Sequence, residues 1–213
     1  MNRLAAACLL VFAVACAPDY QADVPGNAAA QAAAGAPAKA ARTETAVFAG
    51  GCFWCTEADF EKVPGVVSAL SGYTGGRTER PTYEQVSANG TGHYEAVLVR
   101  YDPAKVSFAQ LARYFFRTVD PTDAGGQFCD RGESYRTAIF AAPGQVAAAQ
   151  AAKAGAEKAL GRKVVTPILA AGRFWPAEDY HQDYYRKNGL KYRFYRSRCG
   201  RDARLREIWG DAR

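Results

Sequence analysis

The sequence predicts a single mixed α/β domain, and three observations lead there. Strand-like and helix-like segments alternate without a repeat, as expected when helices cross over between strands of one sheet. The 213 residues are 49% hydrophobic and 12% aromatic, enough for one well-formed core. The alternation starts only after residue 44, so the apolar start and the alanine-rich stretch behind it lie outside the domain.

The elements follow in order. Residues 45–49 (TAVFA) read as a short buried strand. Gly50-Gly51 turns the chain, residues 52–62 form a helix, and Val63-Pro64-Gly65 stops it. Residues 66–73 are extended and residues 82–88 a short helix. The clearest strand is HYEAVLVRYDP, residues 93–103. Glu95, Val97, Val99 and Tyr101 fall on one face, and Tyr94, Ala96, Leu98 and Arg100 on the other. Residues 108–117 have helical spacing, with Leu111, Phe115 and Val119 near one stripe. Then come a strand at 134–140, an alanine-rich helix at 147–160 stopped by Gly161, a strand at 164–170 and a helix at 178–187.

The flanks are read separately. Residues 1–15 resemble an export signal: Asn2-Arg3 is followed by an apolar run too short to span a membrane. The run ends in AVAC. Ala13 and Ala15 fit a small-x-small cleavage site, and the same stretch resembles a lipobox that would make Cys16 a lipidated first residue. Ala13 stands where a lipobox normally has Leu, so anchored and freely secreted forms both stay open. Either way the protein is expected in the bacterial cell envelope. Residues 16–44 read as a flexible tether, 45–190 as the folded domain and 191–213 as a basic tail. The net charge of +6 is concentrated from Arg186 onward. That local excess reads as a solvated tail rather than a nucleic-acid surface. A monomer is expected.

Four of the six cysteines follow the tether: Cys52, Cys55 and Cys129 in the domain and Cys199 in the tail. The domain is large enough not to need disulfide staples, so reactive chemistry weighs at least as much as structure. Cys52 follows a strand and a Gly-Gly turn and opens a helix. Unpaired N–H groups and the helix dipole there favour thiolate and lower the thiol pKa. A nucleophile is expected, against the plainer reading of a buried inert cysteine. Cys-x-x-Cys also supplies half a zinc site, but Cys129, Cys199, His93 and His181 are not spaced as the other half, and no metal is expected. A thioredoxin-like redox pair also starts a helix after a strand. Glu95 shares a strand face with core valines, where burial raises a carboxyl pKa and readies it to donate a proton. Reduction of an oxygen-bearing substrate needs such an acid, and disulfide exchange has less use for one. The alternative for Glu95 is a strand-end carboxylate paired with an arginine.

Five blocks in order carry a resemblance: GCFWCTEADFEKVPGVVSALSGYTGG, PTYEQV, GTGHYEAVLVRYDP, DRGESYRTAIF and AEDYHQDYYRKN. Together they resemble the peptide methionine sulfoxide reductases of the A type, from about Val47 to Asn188. The resemblance implies an α+β plait with a split βαβ, ferredoxin-like core. It implies reduction of methionine S-sulfoxide, free or in proteins, without metal or organic cofactor. Cys52 would be the nucleophile and Glu95 the proton donor. Tyr83 and Tyr135 would hydrogen-bond the sulfoxide oxygen, and Asp130 would help order the site. Phe53 and Trp54 would line the pocket for the substrate's methyl group. Cys52 would become a sulfenic acid, a resolving thiol would form a disulfide with it, and a thioredoxin-like dithiol would reduce that. Many relatives have Gly at the position of Cys55 and Asn at that of Cys129, with resolving cysteines in a Gly-rich tail. Here Cys55, Cys199 and Cys129 are all candidates. Cys55 lies within disulfide reach one helical turn on, and Cys199 would need a mobile tail. A thiol-disulfide oxidoreductase using Cys52 and Cys55, and a non-catalytic lipoprotein with structural disulfides, remain the rival readings.

Overall fold

The computed structural model describes residues 42–210. The export signal, Cys16 and nearly all of the tether lie outside the described residues.

Six strands form one mixed sheet: β1 (Glu44–Gly50), β2 (Val66–Thr74), β3 (Tyr94–Tyr101), β6 (Thr137–Ala141), β7 (Ile168–Ala170) and β8 (Phe174–Pro176). Their spatial order is β7-β6-β1-β3-β2-β8. β3 lies between β1 and β2 and is antiparallel to both, so β1, helix α1 (Phe53–Phe60) and β2 make a βαβ unit split by β3. β6 runs antiparallel to β1 on the other side, and β7 pairs with it in parallel. This is the expected plait. Two further strands, β4 (Gly126–Gln127) and β5 (Asp130–Arg131), form a separate two-stranded ribbon.

Helices α3 (Phe108–Arg117) and α4 (Val146–Leu160) complete the layer beside α1. A reciprocal capping box between Ser107 and Gln110 starts α3. Its Phe108, Leu111, Ala112, Phe115 and Phe116 are buried, as 3.6-residue spacing demands. Phe48 of β1 stacks on Phe60 at 4.7 Å and Phe115 at 5.2 Å, tying strand and helices together. Ala149, Ala152 and Ala156 let α4 pack closely, and Gly161, at φ +61°, ends it as expected. The faces predicted for β3 are the observed ones: Val97, Val99 and Tyr101 enter this core, and Tyr94 and Ala96 a smaller cluster on the other face.

Four expectations need correction. The strand expected at 134–140 begins only at Thr137, because Glu133–Tyr135 form a 3-10 turn. The strand expected at 164–170 is regular only over Ile168–Ala170; Pro167 has no N–H to give a ladder. The helix expected at 178–187 shrinks to α5 (Tyr184–Lys187), since Asp183 is left-handed at φ +54°. The basic tail is not simply solvated. It folds into α6 (Gly189–Arg198) and α7 (Arg201–Trp209), whose Tyr192, Arg201, Leu205 and Trp209 are buried. Two of its arginines are held in ion pairs, Arg196 with Asp59 and Asp202 and Arg204 with Asp120 and Glu207, while Lys191, Arg193, Arg198 and Arg206 stay exposed. No described helix is long and apolar enough to cross a membrane.

Candidate active site

β1 delivers the chain to Gly50. Gly51 turns it at φ +79°, and Cys52 becomes the N-cap of α1. The Cys52 carbonyl accepts the N–H groups of Cys55 and Thr56, at 3.1 and 3.3 Å, which fixes the first turn. A cavity of about 70 Å³ opens over this helix end. Cys52, Phe53, Trp54, Glu95, Asp130 and Tyr195 line it, together with Tyr83 and Tyr135. Helix α2 (Tyr83–Ser87) brings in Tyr83, the turn before β6 brings Tyr135, β5 brings Asp130 and α6 brings Tyr195. All seven residues expected to act on substrate therefore meet at one cavity.

Glu95 is 2% exposed, and its Oε2 accepts the Phe53 N–H at 2.9 Å. Burial pushes its carboxyl up to about 8, with the Asp130 charge adding to the effect. The Phe53 N–H and the Tyr135 hydroxyl hold it from going further. Tyr135 is hydrogen-bonded to Tyr83 as well, so the two phenols and the carboxyl are linked. The alternative of an arginine-paired Glu95 is not what the structure contains.

Cys52 differs from expectation. It is 5% exposed, and burial pushes its thiol up despite the helix N-terminus. The Cys52 S–H also donates to Cys55, and the Glu95 and Asp130 charges act in the same direction. Cys55 gains what Cys52 loses. Accepting that hydrogen bond, helped by the charges of Arg201 and Arg196, lowers its thiol to about 7. The two thiols are thus joined by a hydrogen bond and titrate as a pair.

The other two cysteines are bonded to each other: Cys129–Cys199 is a disulfide with Cα atoms 4.9 Å apart. Neither sulfur is a free thiolate in this disulfide state, and His93 is held between the Gly76 N–H and the Thr78 carbonyl. Asp130 joins the disulfide to the cavity: its Oδ2 lies 3.7 Å from the Cys199 sulfur and accepts the Tyr195 hydroxyl at 2.5 Å. Burial pushes Asp130 above the usual carboxylate range, opposed by Tyr195 and by the charge of Arg201.

Three groups escaped sequence reasoning. His181 Nδ1 accepts the Trp54 indole N–H at 3.0 Å, and the Tyr184 ring stacks on Trp54 at 3.7 Å, so both hold the aromatic wall in place. Tyr195 lines the cavity itself. His181 and Tyr184 lie in the AEDYHQDYYRKN block, which offered a signal without a role, whereas Tyr195 lies beyond it.

Residues 44–213 match the family model described as Peptide methionine sulfoxide reductase. Peptide methionine sulfoxide reductase MsrA 2 of Rhizobium meliloti is 52% identical over 82% of this chain and 88% of that protein. Its namesake from Caulobacter vibrioides is 55% identical over 82% of this chain and 90% of that one. Among solved structures, methionine sulfoxide reductase A of Corynebacterium diphtheriae superposes with a TM-score of 0.65 at 36% identity, covering 72% of this chain and 78% of that one. With the plait, the cavity and the buried acid in view, the chain belongs to the peptide methionine sulfoxide reductase family, of the A type, and is an oxidoreductase that reduces methionine sulfoxide.

Proposed function

We propose that Cys52 attacks the sulfur of methionine S-sulfoxide while Glu95 protonates the departing oxygen. The observation that carries this reading is a buried carboxyl, pushed up to about 8, in one small cavity with the thiol. Cys55 takes the Cys52 proton as the thiol attacks. The Tyr83 and Tyr135 hydroxyls stabilise charge on the oxygen, each such donor being worth about 3 kcal/mol. Phe53 and Trp54 receive the methyl group, and Asp130 orders the far wall. Methionine leaves, and the oxygen stays on Cys52 as a sulfenic acid. Condensation with the Cys55 thiol forms a Cys52–Cys55 disulfide and releases water. Cys199 then attacks Cys52, freeing Cys55, and Cys129 attacks Cys199, freeing Cys52. The product is the Cys129–Cys199 disulfide with two free thiols at the cavity, which is the arrangement described above. A thioredoxin-like dithiol reduces that disulfide from outside.

The test supplies each epimer of methionine sulfoxide with dithiothreitol or thioredoxin. Reduction of the S epimer is expected, and turnover of the R epimer alone overturns the reading. Glu95→Gln should lower the rate by about 10²–10⁴-fold. Insulin-disulfide reduction that survives in that variant while sulfoxide reduction is absent in the wild type favours the Cys52/Cys55 thiol-disulfide oxidoreductase instead.

We further propose that the enzyme is an exported, lipid-anchored monomer. Support comes from the apolar run and AVAC at residues 1–16. Thioredoxin is cytoplasmic, so the donor is then an envelope dithiol relay. Membrane fractionation of wild type and Cys16→Ala tests the anchor, and release of neither or both forms overturns it. Light scattering of the domain tests the monomer.

A further inference from the structure

Arg201 is 1% exposed, the most deeply buried cation of the described chain, and the reductase reading gives it no work. It opens α7, two residues after Cys199. Its Nη1 and Nη2 both donate to the Gly50 carbonyl at 3.3 Å, behind the turn that presents Cys52. Nη2 also donates to the Thr118 carbonyl at 2.9 Å, and the guanidinium lies 4.7 Å over the Phe128 ring, next to Cys129. One side chain therefore touches the segments before Cys52 and before Cys129, and belongs to the segment after Cys199.

A buried cation costs several kcal/mol unless it is matched by an anion. The nearest carboxylate, Asp59, is 3.9 Å from Nε and is held more closely by Arg196 at 3.0 Å. Nε itself has no hydrogen-bond partner. The unmatched charge acts on Cys55, the acceptor of the Cys52 proton.

We infer that Arg201 is a positioning residue for the thiol pair: its forked contacts hold the Cys52 turn, and its charge eases loss of the Cys55 proton to the departing hydroxyl as Cys55 resolves the Cys52 sulfenic acid. This rests on the reductase reading and deepens it. The other groups facing Cys55 are Cys52 and Asp59 on its own helix, Arg196, Tyr192 and Tyr195 of α6, and Glu95 of β3. Arg196 is already engaged by two carboxylates, so Arg201 is the cation whose removal changes Cys55 most.

The experiment is a single turnover of the reduced full chain with methionine S-sulfoxide across the neutral pH range. Dimedone-trapped Cys52 and the Cys52–Cys55 disulfide are both mapped by mass. In Arg201→Gln the pH midpoint of disulfide formation should move to the alkaline side by about one unit or more, slowing resolution about ten-fold at neutral pH. Arg201→Lys, which keeps the charge, should recover most of the midpoint but remain slower, since an ammonium cannot reproduce the fork. An unchanged midpoint in Arg201→Gln overturns the inference. If that variant does not fold, a wild-type rate in Arg201→Lys overturns it. Wild-type protein that never forms the sulfenic acid overturns the reductase reading itself, a separate outcome.

Discussion

Tyr195 of α6 donates its hydroxyl proton to Asp130 of β5 at 2.5 Å, and both line the cavity over Cys52. The C-terminal helices are therefore part of the site. The same Asp130 oxygen, Oδ2, also lies 3.7 Å from the Cys199 sulfur. The carboxylate sits where the cavity meets the disulfide.

Removing that hydroxyl is the sharpest way to test the link. Tyr195→Phe keeps the ring but leaves Asp130 without its phenol donor. A hydrogen bond to a charged group is typically worth about 1.5–3 kcal/mol, so kcat/KM should fall by roughly 10–100-fold. Asp130 should also titrate higher, because burial is then less opposed. Steady-state kinetics of Tyr195→Phe across the acid range checks both, and an unaltered acid limb would leave Tyr195 as packing alone.

Much of this was legible in the sequence, and the illegible part has physical causes. β3 and α3 follow from periodicity, and β1 and α1 from the Gly50-Gly51 turn between them and the Val63-Pro64-Gly65 stop. Glu95 was readable because it interrupts a face of valines. The fate of the tail was not. Arg201 and Arg196 look like solvent charges in a string of arginines, and the groups that receive them are mostly far away in sequence: Asp59 for Arg196, and the Gly50 and Thr118 carbonyls for Arg201. The Cys52 thiol went the same way. The helix N-terminus argues for a low pKa, but burial at 5% exposure outweighs a partial charge. The pairing of Cys129 with Cys199 spans 70 residues and has no local signal.

The order of thiol transfer predicts distinct products in the cysteine variants. After one turnover, Cys199→Ser should stop at the Cys52–Cys55 disulfide. Cys129→Ser should stop with Cys199 joined to Cys52. Cys55→Ser should accumulate the Cys52 sulfenic acid and resolve about ten-fold or more slowly, because no thiol remains one turn away. Peptide mass mapping reads all three. A Cys52–Cys199 bond formed at the wild-type rate in Cys55→Ser would remove Cys55 from the relay.

Gly51 should tolerate no side chain. At φ +79° an L-residue costs about 1–2 kcal/mol. A Cβ there would also stand 2.5 Å from the Gln127 Cβ. Gln127 cannot yield readily: it is fully buried, accepting the Asp120 N–H and donating to the Asp120 carbonyl, both at 2.8 Å. Gly51→Ala should therefore lose about 2–4 kcal/mol in urea unfolding, with activity falling further than stability because Cys52 is the next residue. A loss under 1 kcal/mol would mean that the turn relaxes freely.

Stability should fall as pH rises, and Glu95 should be the main reason. Its folded carboxyl stands at about 8 against an ordinary 4.5. Between those values the folded state holds a proton that the unfolded chain has released. The group's contribution is thus fully present below about 4.5 and is lost as pH climbs through about 8. Glu57, pushed up to about 7 mainly by burial, acts in the same direction, more weakly because the Asp183 N–H and the Ser71 hydroxyl oppose the shift. Glu95→Gln stays neutral throughout and keeps an acceptor for the Phe53 N–H. Its unfolding free energy should match the wild type near pH 5 and exceed it near pH 8 by a few kcal/mol, at ~1.4 kcal/mol per pH unit. Urea midpoints of the two proteins from pH 5 to pH 8 measure this. If the wild type instead gains on the variant as pH rises, Glu95 is ionised in the folded enzyme and cannot be the proton donor.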